Sequence, residues 1–410
     1  MALLQQSDPK DADLGRKVVR EIYAARALRD FGDGFVAVLL PVYLSAIGFG
    51  AFEIGVVATL ALLGSASMTL GVGFLGARAD QRTLLILASA LMVATGLAFT
   101  LSTSTALILL IAFLGTINPS AGSVSVFAPL EQALLSRSVA DTERTAMFAR
   151  YGLIGSLAAA VGALASASPD LLTALGMTRL AALKAMFVLY AALGVLGGLI
   201  YARIPVAAAS GEQGPAVRLG PSRVIVYRLA ALFSIDAFAG GFAVQSLIAL
   251  WLFGKFGMSL AAAGLFFFWS GVAAAFSYPV AAWLAKRIGL VNTMVFTHIP
   301  ANLCLIVAAV APSIEVVLAL LLVRAGLSQM DVPTRSSYVM AVVTPAERTA
   351  AASVTSVPRS LAAAVSPAMA GAMFAAGYHA WPLVLSGALK ILYDVALLWT
   401  FRHVKPPEER

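Results

Sequence analysis

Charged residues are scarce in this sequence. Asp, Glu, Lys and Arg make up 12% of the 410 residues, whereas hydrophobic residues make up 60%. About a quarter of the residues of an ordinary soluble protein are charged, so a soluble fold of this composition would leave much apolar surface in water. A lipid bilayer removes that difficulty, because lipid replaces water around the outer faces of the helices. The length suits about twelve membrane helices of roughly 20 residues each with short loops.

Cysteine and histidine are nearly absent. Cys304 is the single cysteine, which excludes an intramolecular disulfide framework and a multi-cysteine metal site. The histidines at 298, 379 and 403 lack the spacing of metal ligands, and we interpret His298 as a packing residue. Neither a G-x-x-x-x-G-K-[ST] phosphate loop nor a G-x-S-x-G nucleophile motif occurs. We therefore expect no cofactor, no metal and no enzymatic activity.

Apolar runs between loop signals predict twelve membrane-spanning helices and an all-α integral membrane fold. The predicted spans lie near 28–48, 53–75, 83–102, 105–133, 146–168, 179–202, 225–253, 259–284, 291–311, 314–341, 347–376 and 381–402. Several of them are rich in Gly and Ala, as closely packed membrane helices are.

The positive charges orient these helices. With the N-terminus inside, nearly all Lys and Arg residues fall in cytosolic loops, whereas the opposite side offers Arg179, Lys184 and Lys255. The positive-inside rule then places both termini in the cytosol. Residues 1–27 lack the early apolar run of a secretory signal, so they and residues 403–410 are predicted to be cytosolic tails. The net charge of +8 is spread over many loops rather than gathered on one face, which argues against a nucleic-acid partner.

The two halves of the chain repeat one another. Residues 143–146 (ERTA) recur as 347–350, a shift of 204 positions, and residues 156–161 (SLAAAV) recur as 360–365 at the same shift. The longest polar interruption, 204–223, lies between the halves. We therefore predict two bundles, 28–203 and 224–402, that are joined by a cytosolic linker at 204–223.

The loop between the second and third predicted helices identifies a family resemblance. Residues 76–82 read GARADQR and resemble the motif G-x-L-A-D-R-x-G-R-R of the major facilitator superfamily. The equivalent loop of the second half, 282–289, carries Lys286 and Arg287. In that family the loop acts as a conformational latch, so the resemblance implies that role for a set of residues in both loops. These residues are Gly76, Asp80, Arg82, Lys286 and Arg287.

The resemblance also implies two pseudo-symmetric six-helix bundles, a monomer in the lipid bilayer and a small-molecule solute bound near the midplane between the bundles. In this fold, helices 1, 4, 7 and 10 line the cavity. Antiporter branches of the family often carry a Gly-Pro-rich motif in helix 5. Here helix 5 has no proline, so the motif does not support antiport.

Ionisable residues at bilayer depth are functional candidates, because burying an unpaired charge in lipid is costly. Asp33 and Asp236 are candidates for proton coupling. Arg324 and Arg359 are candidates for holding an anionic group or for pairing with those acids. Two polar residues, Asn118 and Gln245, are further candidates for the transport path.

A second group of charged residues lies near helix ends or in the peripheral last helix, where a structural ion pair is the better interpretation. Lys390 and Asp394 are four residues apart and can neutralise each other on one helix face. The full group comprises Glu131, Glu143, Arg144, Asp331, Arg335, Glu347, Arg348, Lys390 and Asp394.

These observations favour a secondary active transporter of the inner membrane that works by alternating access. The leading hypothesis is proton-coupled efflux of a drug-like or toxic small molecule, with antiport as its mechanism. An alternative is uptake or exchange of an organic or inorganic anion that is held by intramembrane arginines. A membrane-embedded enzyme or a receptor is a further alternative with little support in the sequence.

Overall fold

In a computed structural model, helices are the only regular structure among the residues that the structure describes, which are 9–75, 80–120, 125–138, 144–205, 219–344 and 347–404. Sixteen helices follow one another in this part of the chain. They are α1 (Pro9–Ala46), α2 (Ala51–Leu75), α3 (Gln81–Leu101), α4 (Thr105–Leu114), α5 (Phe127–Ser138), α6 (Arg144–Ala165), α7 (Ser168–Ala174), α8 (Arg179–Tyr201), α9 (Arg223–Gly241), α10 (Gln245–Phe256), α11 (Leu260–Ile288), α12 (Leu290–Val310), α13 (Ile314–Ser328), α14 (Asp331–Val342), α15 (Arg348–Ala375) and α16 (Trp381–Phe401).

These helices form the twelve membrane segments that the sequence predicts. Nine stretches of the described residues are long and apolar enough to cross a membrane. The other three segments are α1, α15 and the pair α4–α5. Large apolar side chains point outwards from the bundle, among them Leu101 at 80% and Trp399 at 77% exposure, as expected for a surface that faces lipid.

Segments 4, 7 and 10 are each divided into two helices, α4–α5, α9–α10 and α13–α14. The sequence predicts segments 7 and 10 as continuous helices, and the structure corrects this, whereas in segment 4 the Asn118–Pro119 pair already indicates a break. In segment 4 the interruption follows from Pro119, which has no backbone N–H and does not fit a helix interior. These breaks free backbone groups at the centre of the fold, which a membrane protein tolerates only inside the protein or beside a cavity.

The internal repeat corresponds to a repeated helix contact. A side chain at Gly34 of α1 would clash with the carbonyl of Ala159 in α6. A side chain at Gly241 of α9 would clash with the carbonyl of Ala363 in α15, and 363 is the repeat position of 159. Each half therefore packs its first segment against its fifth through the same glycine, at a backbone distance that any side chain would prevent.

The buried apolar residues show how the two halves meet. One large cluster draws on both halves, from Phe35 and Tyr43 of α1 to Leu252 of α10. Two smaller clusters, one around Leu134 and one around Leu397, lie on the side that carries both chain termini, and each belongs to one half alone. The halves are thus packed together on the side opposite the termini and separate on the terminal side.

Small residues make the contact between the halves close. In α2, Gly55 lies against Pro367 and Gly371 of α15, and in α11, Gly264 lies against Ala163 of α6. The backbone N–H of Ala368 also donates to Thr59 Oγ1 at 3.0 Å. These contacts lie towards the side opposite the termini, so the cleft between the halves opens on the terminal side.

Candidate functional site

The first half holds a buried network of charges between α1 and α5. Arg29 Nη1 donates to Glu131 Oε1 at 2.9 Å, and Arg29 Nη2 lies 3.3 Å from Asp30 Oδ1. Arg26 Nη2 lies 3.1 Å from Asp30 Oδ2, and its guanidinium stacks 3.9 Å from the centre of the Tyr151 ring. Arg29, Asp30 and Glu131 are less than 5% exposed, so each charge depends on its neighbours for stabilisation.

Two tyrosines complete the surroundings of Glu131. The hydroxyl of Tyr151 donates to Oε2 and that of Tyr201 donates to Oε1, each at 2.5 Å. Hydrogen bonds to an ionised acceptor are among the strongest in proteins. Both carboxylate oxygens of Glu131 therefore have donors, although the side chain is completely buried.

Asp33 differs from the other acids of this half. It is 2% exposed, and no Lys, Arg or His among the described residues forms an ion pair with it. Its neighbour is the hydroxyl of Tyr190, which donates to Oδ1 at 3.5 Å and to the carbonyl of Thr116 at 3.1 Å. Within the described residues, Asp33 is thus a buried acid beside a charged network, with one long hydrogen bond and no basic partner.

The second half holds a corresponding network around Asp236. Lys390 Nζ donates to Oδ1 at 2.5 Å, and Arg335 Nη1 lies 3.2 Å from Oδ2. Arg335 Nη1 also lies 2.8 Å from Asp331 Oδ2. Asp236 therefore joins segments 7, 10 and 12 through two basic partners.

The peripheral pair of α16 is arranged differently from the prediction. Lys390 bonds to Asp236, whereas Asp394 lies 2.9 Å from Nδ1 of His298 in α12. The two residues point to different partners because each finds an opposite or polar group on another helix. The interpretation of Lys390 and Asp394 as a mutually neutralising pair is wrong in this respect, and His298 is more than a packing residue.

The two networks are related by the repeat with the charges exchanged. The matched pairs Gly34–Phe35 and Gly241–Phe242 set a shift of 207 between segments 1 and 7, which aligns Arg29 with Asp236. The shift of 204 aligns Glu131 with Arg335. The same pair of positions thus forms a basic–acidic bridge in one half and an acidic–basic bridge in the other.

The two candidate arginines do not converge. Arg359 of α15 interacts electrostatically with Arg335, Asp236 and Asp331 but is in no ion pair among the described residues. Arg324 of α13 interacts with Cys304 of α12 and likewise has no acidic partner in the described part of the chain. The Nε atoms of both arginines are buried without a hydrogen-bond partner. A single anion site that uses both side chains is not formed in this conformation.

The breaks of segments 4 and 7 bring the polar candidates Asn118 and Gln245 towards each other. The backbone N–H of Ser246 donates to the carbonyl of Pro119 at 3.1 Å and joins the two halves. Asn118 Oδ1 accepts from Ser120 N at 2.9 Å. Both candidates therefore flank a contact between the halves, at the centre of the fold.

The residues assigned to the latch contact their own half. Asp80 caps the N-terminus of α3 by accepting from Thr83 N at 3.2 Å, and Arg82 Nη2 donates to the carbonyl of Ala202 at 2.6 Å. Lys286 and Arg287 lie in the last turn of α11, where the Arg287 guanidinium covers the Trp283 ring at 4.3 Å. Gly76 lies outside the described residues, and the latch role stays a prediction.

The ERTA repeat forms a cap at the start of α15. Glu347 accepts from Ser222 Oγ at 2.7 Å, from Thr344 Oγ1 at 2.6 Å and from Gly220 N. These donors lower the pKa of Glu347 to about 2. Arg348 Nε donates to the carbonyl of Met340 at 3.3 Å rather than to Glu347. The equivalent Glu143 and the side chain of Arg144 lie outside the described residues.

Sequence reasoning missed the tyrosines around the acids and the His298–Asp394 pair. Nothing in the sequence distinguishes Tyr151, Tyr190 or Tyr201 from lipid-facing aromatics. For His298 a signal did exist, because it lies four residues from Asn302 and thus on one helix face. Within the described residues, no three His, Cys, Asp or Glu side chains are grouped so that they could hold a metal ion.

Comparisons with known proteins agree with this architecture. A family model described as Major Facilitator Superfamily matches residues 22–323 and 229–410. An uncharacterized membrane protein of Saccharomyces cerevisiae, YJR124C, is 23% identical and aligns over 93% of this chain and 94% of its own length.

Solved structures share the fold at low identity. The nucleoside transporter NupG has a TM-score of 0.72 at 14% identity, covering 94% of this chain and 99% of that one. A bacterial homologue of the human lysosomal transporter Spinster has a TM-score of 0.68 at 15% identity, covering 95% and 96%. The human organic anion transporter MFSD10 has a TM-score of 0.64 at 18% identity, covering 95% and 100%.

Proposed function

Because the chain belongs to the major facilitator superfamily, we propose that it is a proton-coupled antiporter that exports a small solute by alternating access. The family and the multi-pass fold make it a transporter rather than an enzyme. Proton coupling, the direction and the class of solute are the proposal. The conformation described above, with its cleft open on the terminal side, is then the state that loads the solute.

The orientation is part of the proposal. The loops on the terminal side carry nearly all the Lys and Arg residues that lie between segments, and such loops remain in the cytosol. The open cleft would then face the cytosol of a cell whose inner membrane holds the protein. An exporter must take up its solute from that side.

Asp33 is the observation that carries the proposal. It is buried, lies beside Arg29 and Asp30, and has no basic partner among the described residues. A charge of this kind is costly at bilayer depth unless something neutralises it. A proton or a cationic solute can do so, but each excludes the other. Competition for one carboxylate is the simplest physical basis for exchanging a solute for a proton.

Proteoliposomes that contain the purified protein and an internal pH dye test this role. Tetraphenylphosphonium serves as the probe cation. With the wild type, we expect the cation to release protons, and an imposed pH gradient to drive its uptake. Asp33→Asn should abolish both responses, whereas Asp33→Glu should keep part of them. The matched control is Asp170→Asn, an exposed acid in α7, which should behave as the wild type. Equal proton release by Asp33→Asn and the wild type contradicts the proposal.

Arg359 supports a second candidate function, transport of an anion. It is partly exposed, has no ion-pair partner among the described residues and lies beside the Asp236 network. A ligand that binds the folded state raises its thermal stability. Benzoate and phosphate are suitable probes, with Arg359→Gln and Arg324→Gln as variants. Because the two arginines do not converge, an anion site should be lost in Arg359→Gln and kept in Arg324→Gln. Loss in both variants or in neither contradicts a site at Arg359.

A further inference from the structure

Two polar stripes face each other between α12 and α16. On α12, His298 and Asn302 lie four residues apart. On α16, Ser386, Lys390 and Asp394 follow one another at the same spacing, so each stripe occupies one helix face. We call the space between these stripes the α12–α16 seam. The two helices meet there through His298 Nδ1, which lies 2.9 Å from Oδ1 and 3.1 Å from Oδ2 of Asp394.

The seam joins the Asp236 network from the outside of the bundle. Lys390 donates to Asp236, and Asp394 lies one turn further along α16. The Tyr393 ring packs edge-on against the His298 ring with their centres 6.2 Å apart. The pair of His298 and Asp394 is thus separated from the central cleft by a layer of charges that already have partners.

Several polar atoms of the seam have no hydrogen-bond partner in the described part of the chain. They are Oδ1 and Nδ2 of Asn302, Oγ of Ser386 and the hydroxyl of Tyr393, and these residues are at most 1% exposed. A buried polar group that is left without a hydrogen bond destabilises the folded state. Native proteins usually satisfy such groups with internal water, which needs two to four polar partners. The four unsatisfied atoms lie on the two helices that carry His298 and Asp394, where internal water is the ordinary partner for such groups.

We propose that the α12–α16 seam is a hydrated protonation site in which His298 binds one proton and Asp394 stabilises the resulting cation. In the neutral state, Nδ1–H of His298 donates to the Asp394 carboxylate. Water delivers a proton to Nε2, which gives an imidazolium paired with that carboxylate. A hydronium ion from the aqueous phase is the source of the proton: as the N–H bond forms, one O–H bond of the adjacent water breaks, and that water regains a proton from the next one along the chain. Asn302, Ser386 and Tyr393 hold the water in place.

The charges around the site come from each helix that packs on α12. From α16 come Lys390, Tyr393 and Asp394, and Asp236 acts on His298 from α9. In segment 10, Asp331 and Arg335 lie behind Asp236, and Arg324 interacts with Cys304. Cys304 is two residues from Asn302 and so lies about 200° around the helix. The charged residues of α11 are Lys286 and Arg287, in its last turn, roughly 9–10 Å along the bundle from His298.

The first test observes His298 directly. The chain has three histidines, so His379→Gln with His403→Gln leaves His298 as the single one. In lipid nanodiscs, ¹⁵N NMR of the ring distinguishes the neutral from the cationic form. Spectra recorded between about pH 5 and 8 should show the ring changing reversibly between its neutral and its cationic form. With Asp394→Asn added, the ratio of cation to neutral form at a given pH should fall at least tenfold. A ring that keeps one form over this range, or that is unaffected by Asp394→Asn, overturns the proposal.

The second test concerns the water, with Asn302→Leu as a nearly isosteric variant. If the seam were dry, removal of an unsatisfied amide would raise the thermal unfolding temperature. If water bridges the amide, the variant should lower that temperature and slow proton exchange at His298 at least severalfold. A higher unfolding temperature overturns the hydrated site. Neither test needs a solute, so this inference stands or falls separately from the coupling role of Asp33.

Discussion

Each half of the molecule buries an ion pair at the same two repeat positions, but the acidic and basic residues are exchanged between the halves. The halves also differ in which charged side chain is left outside the ion pairs. In the first half, Glu131 is held by Arg29 and two tyrosine hydroxyls, and the acid Asp33 has no basic partner among the residues that the structure describes. In the second half, Asp236 is held by two basic residues, and the base Arg359 forms no ion pair with an acid in the described ranges. Helix packing thus tolerated an exchange of charge between the repeats. The chemistry of the cleft became asymmetric as a result.

The glycine contacts, unlike the ion pairs, are the same in both halves. Gly34 and Gly241 each allow segment 1 or 7 to approach the backbone of segment 5 or 11. The backbone approach leaves room for no other residue type, whereas a bridge can be built with either polarity. Geometry is therefore kept between the halves more strictly than charge.

The largest effect is expected from removing the basic residue of each bridge. Arg335→Met leaves Asp331 without its partner and Asp236 with Lys390 alone, and loss of one partner in a buried pair costs about 3–5 kcal/mol. Arg29→Met should cost less, because Glu131 keeps the hydroxyls of Tyr151 and Tyr201. Thermal unfolding of the two variants in the same nanodiscs checks the order.

A double variant tests whether the tyrosine hydroxyls stabilise Glu131 when Arg29 is absent. Adding Tyr201→Phe to Arg29→Met should bring the loss of stability close to that of Arg335→Met, since hydrogen bonds to a charge contribute about 1.5–3 kcal/mol each. If Arg29→Met alone is as destabilising as Arg335→Met, the hydroxyls do not replace the arginine.

An intermediate effect is expected at the paired glycines. Gly34→Ala and Gly241→Ala should each destabilise the fold by about 1–3 kcal/mol, because the added methyl group meets a backbone carbonyl. Gly152→Ala in α6 is the control, since a methyl group there meets nothing within 4 Å. That variant should be neutral or stabilising, as alanine is the better helix former. A tolerated alanine at position 34 but not at 241 would show that the halves do not share this contact.

The smallest effect concerns the cap at the start of α15. The folded-state pKa of Glu347 is about 2, below its ordinary value of 4.5. Its ionised form therefore stabilises the folded state above about pH 4.5, and this contribution is lost as the pH falls from 4.5 towards 2. Unfolding temperatures of the wild type and Glu347→Gln should differ at pH 6 and converge near pH 2. A difference that persists at pH 2 would mean that the carboxylate's charge is not the cause.

Much of the fold could be predicted from the sequence, because span length and apolar composition are set by the thickness of the bilayer. The predicted spans correspond to the twelve segments, and the ERTA and SLAAAV repeats indicated two related halves. The breaks in segments 7 and 10 were missed, since Val244 and Gln329 lie in runs as apolar or helical as their surroundings. Only the packing of the halves around these points shows that the helices stop there.

The charges at bilayer depth were predictable as candidates, but their partners were not. The spacing of Lys390 and Asp394 indicated a pair within one helix, whereas each found a partner on another helix, Asp236 and His298. In a bundle, a long side chain forms an ion pair with the charge that the neighbouring helix places at the same height. The local sequence does not specify the register of one helix against another, so these partners could not be predicted.

The sequence by itself determined the class of this protein, its twelve segments and its twofold repeat, because each follows from composition and spacing along the chain. The tertiary structure decided which charges are paired and which are left over, which side of the cleft is open, and where unsatisfied polar groups meet between α12 and α16. These features depend on distances between helices that are remote in sequence, and burial in lipid makes each such distance matter, since water is not there to replace a missing partner.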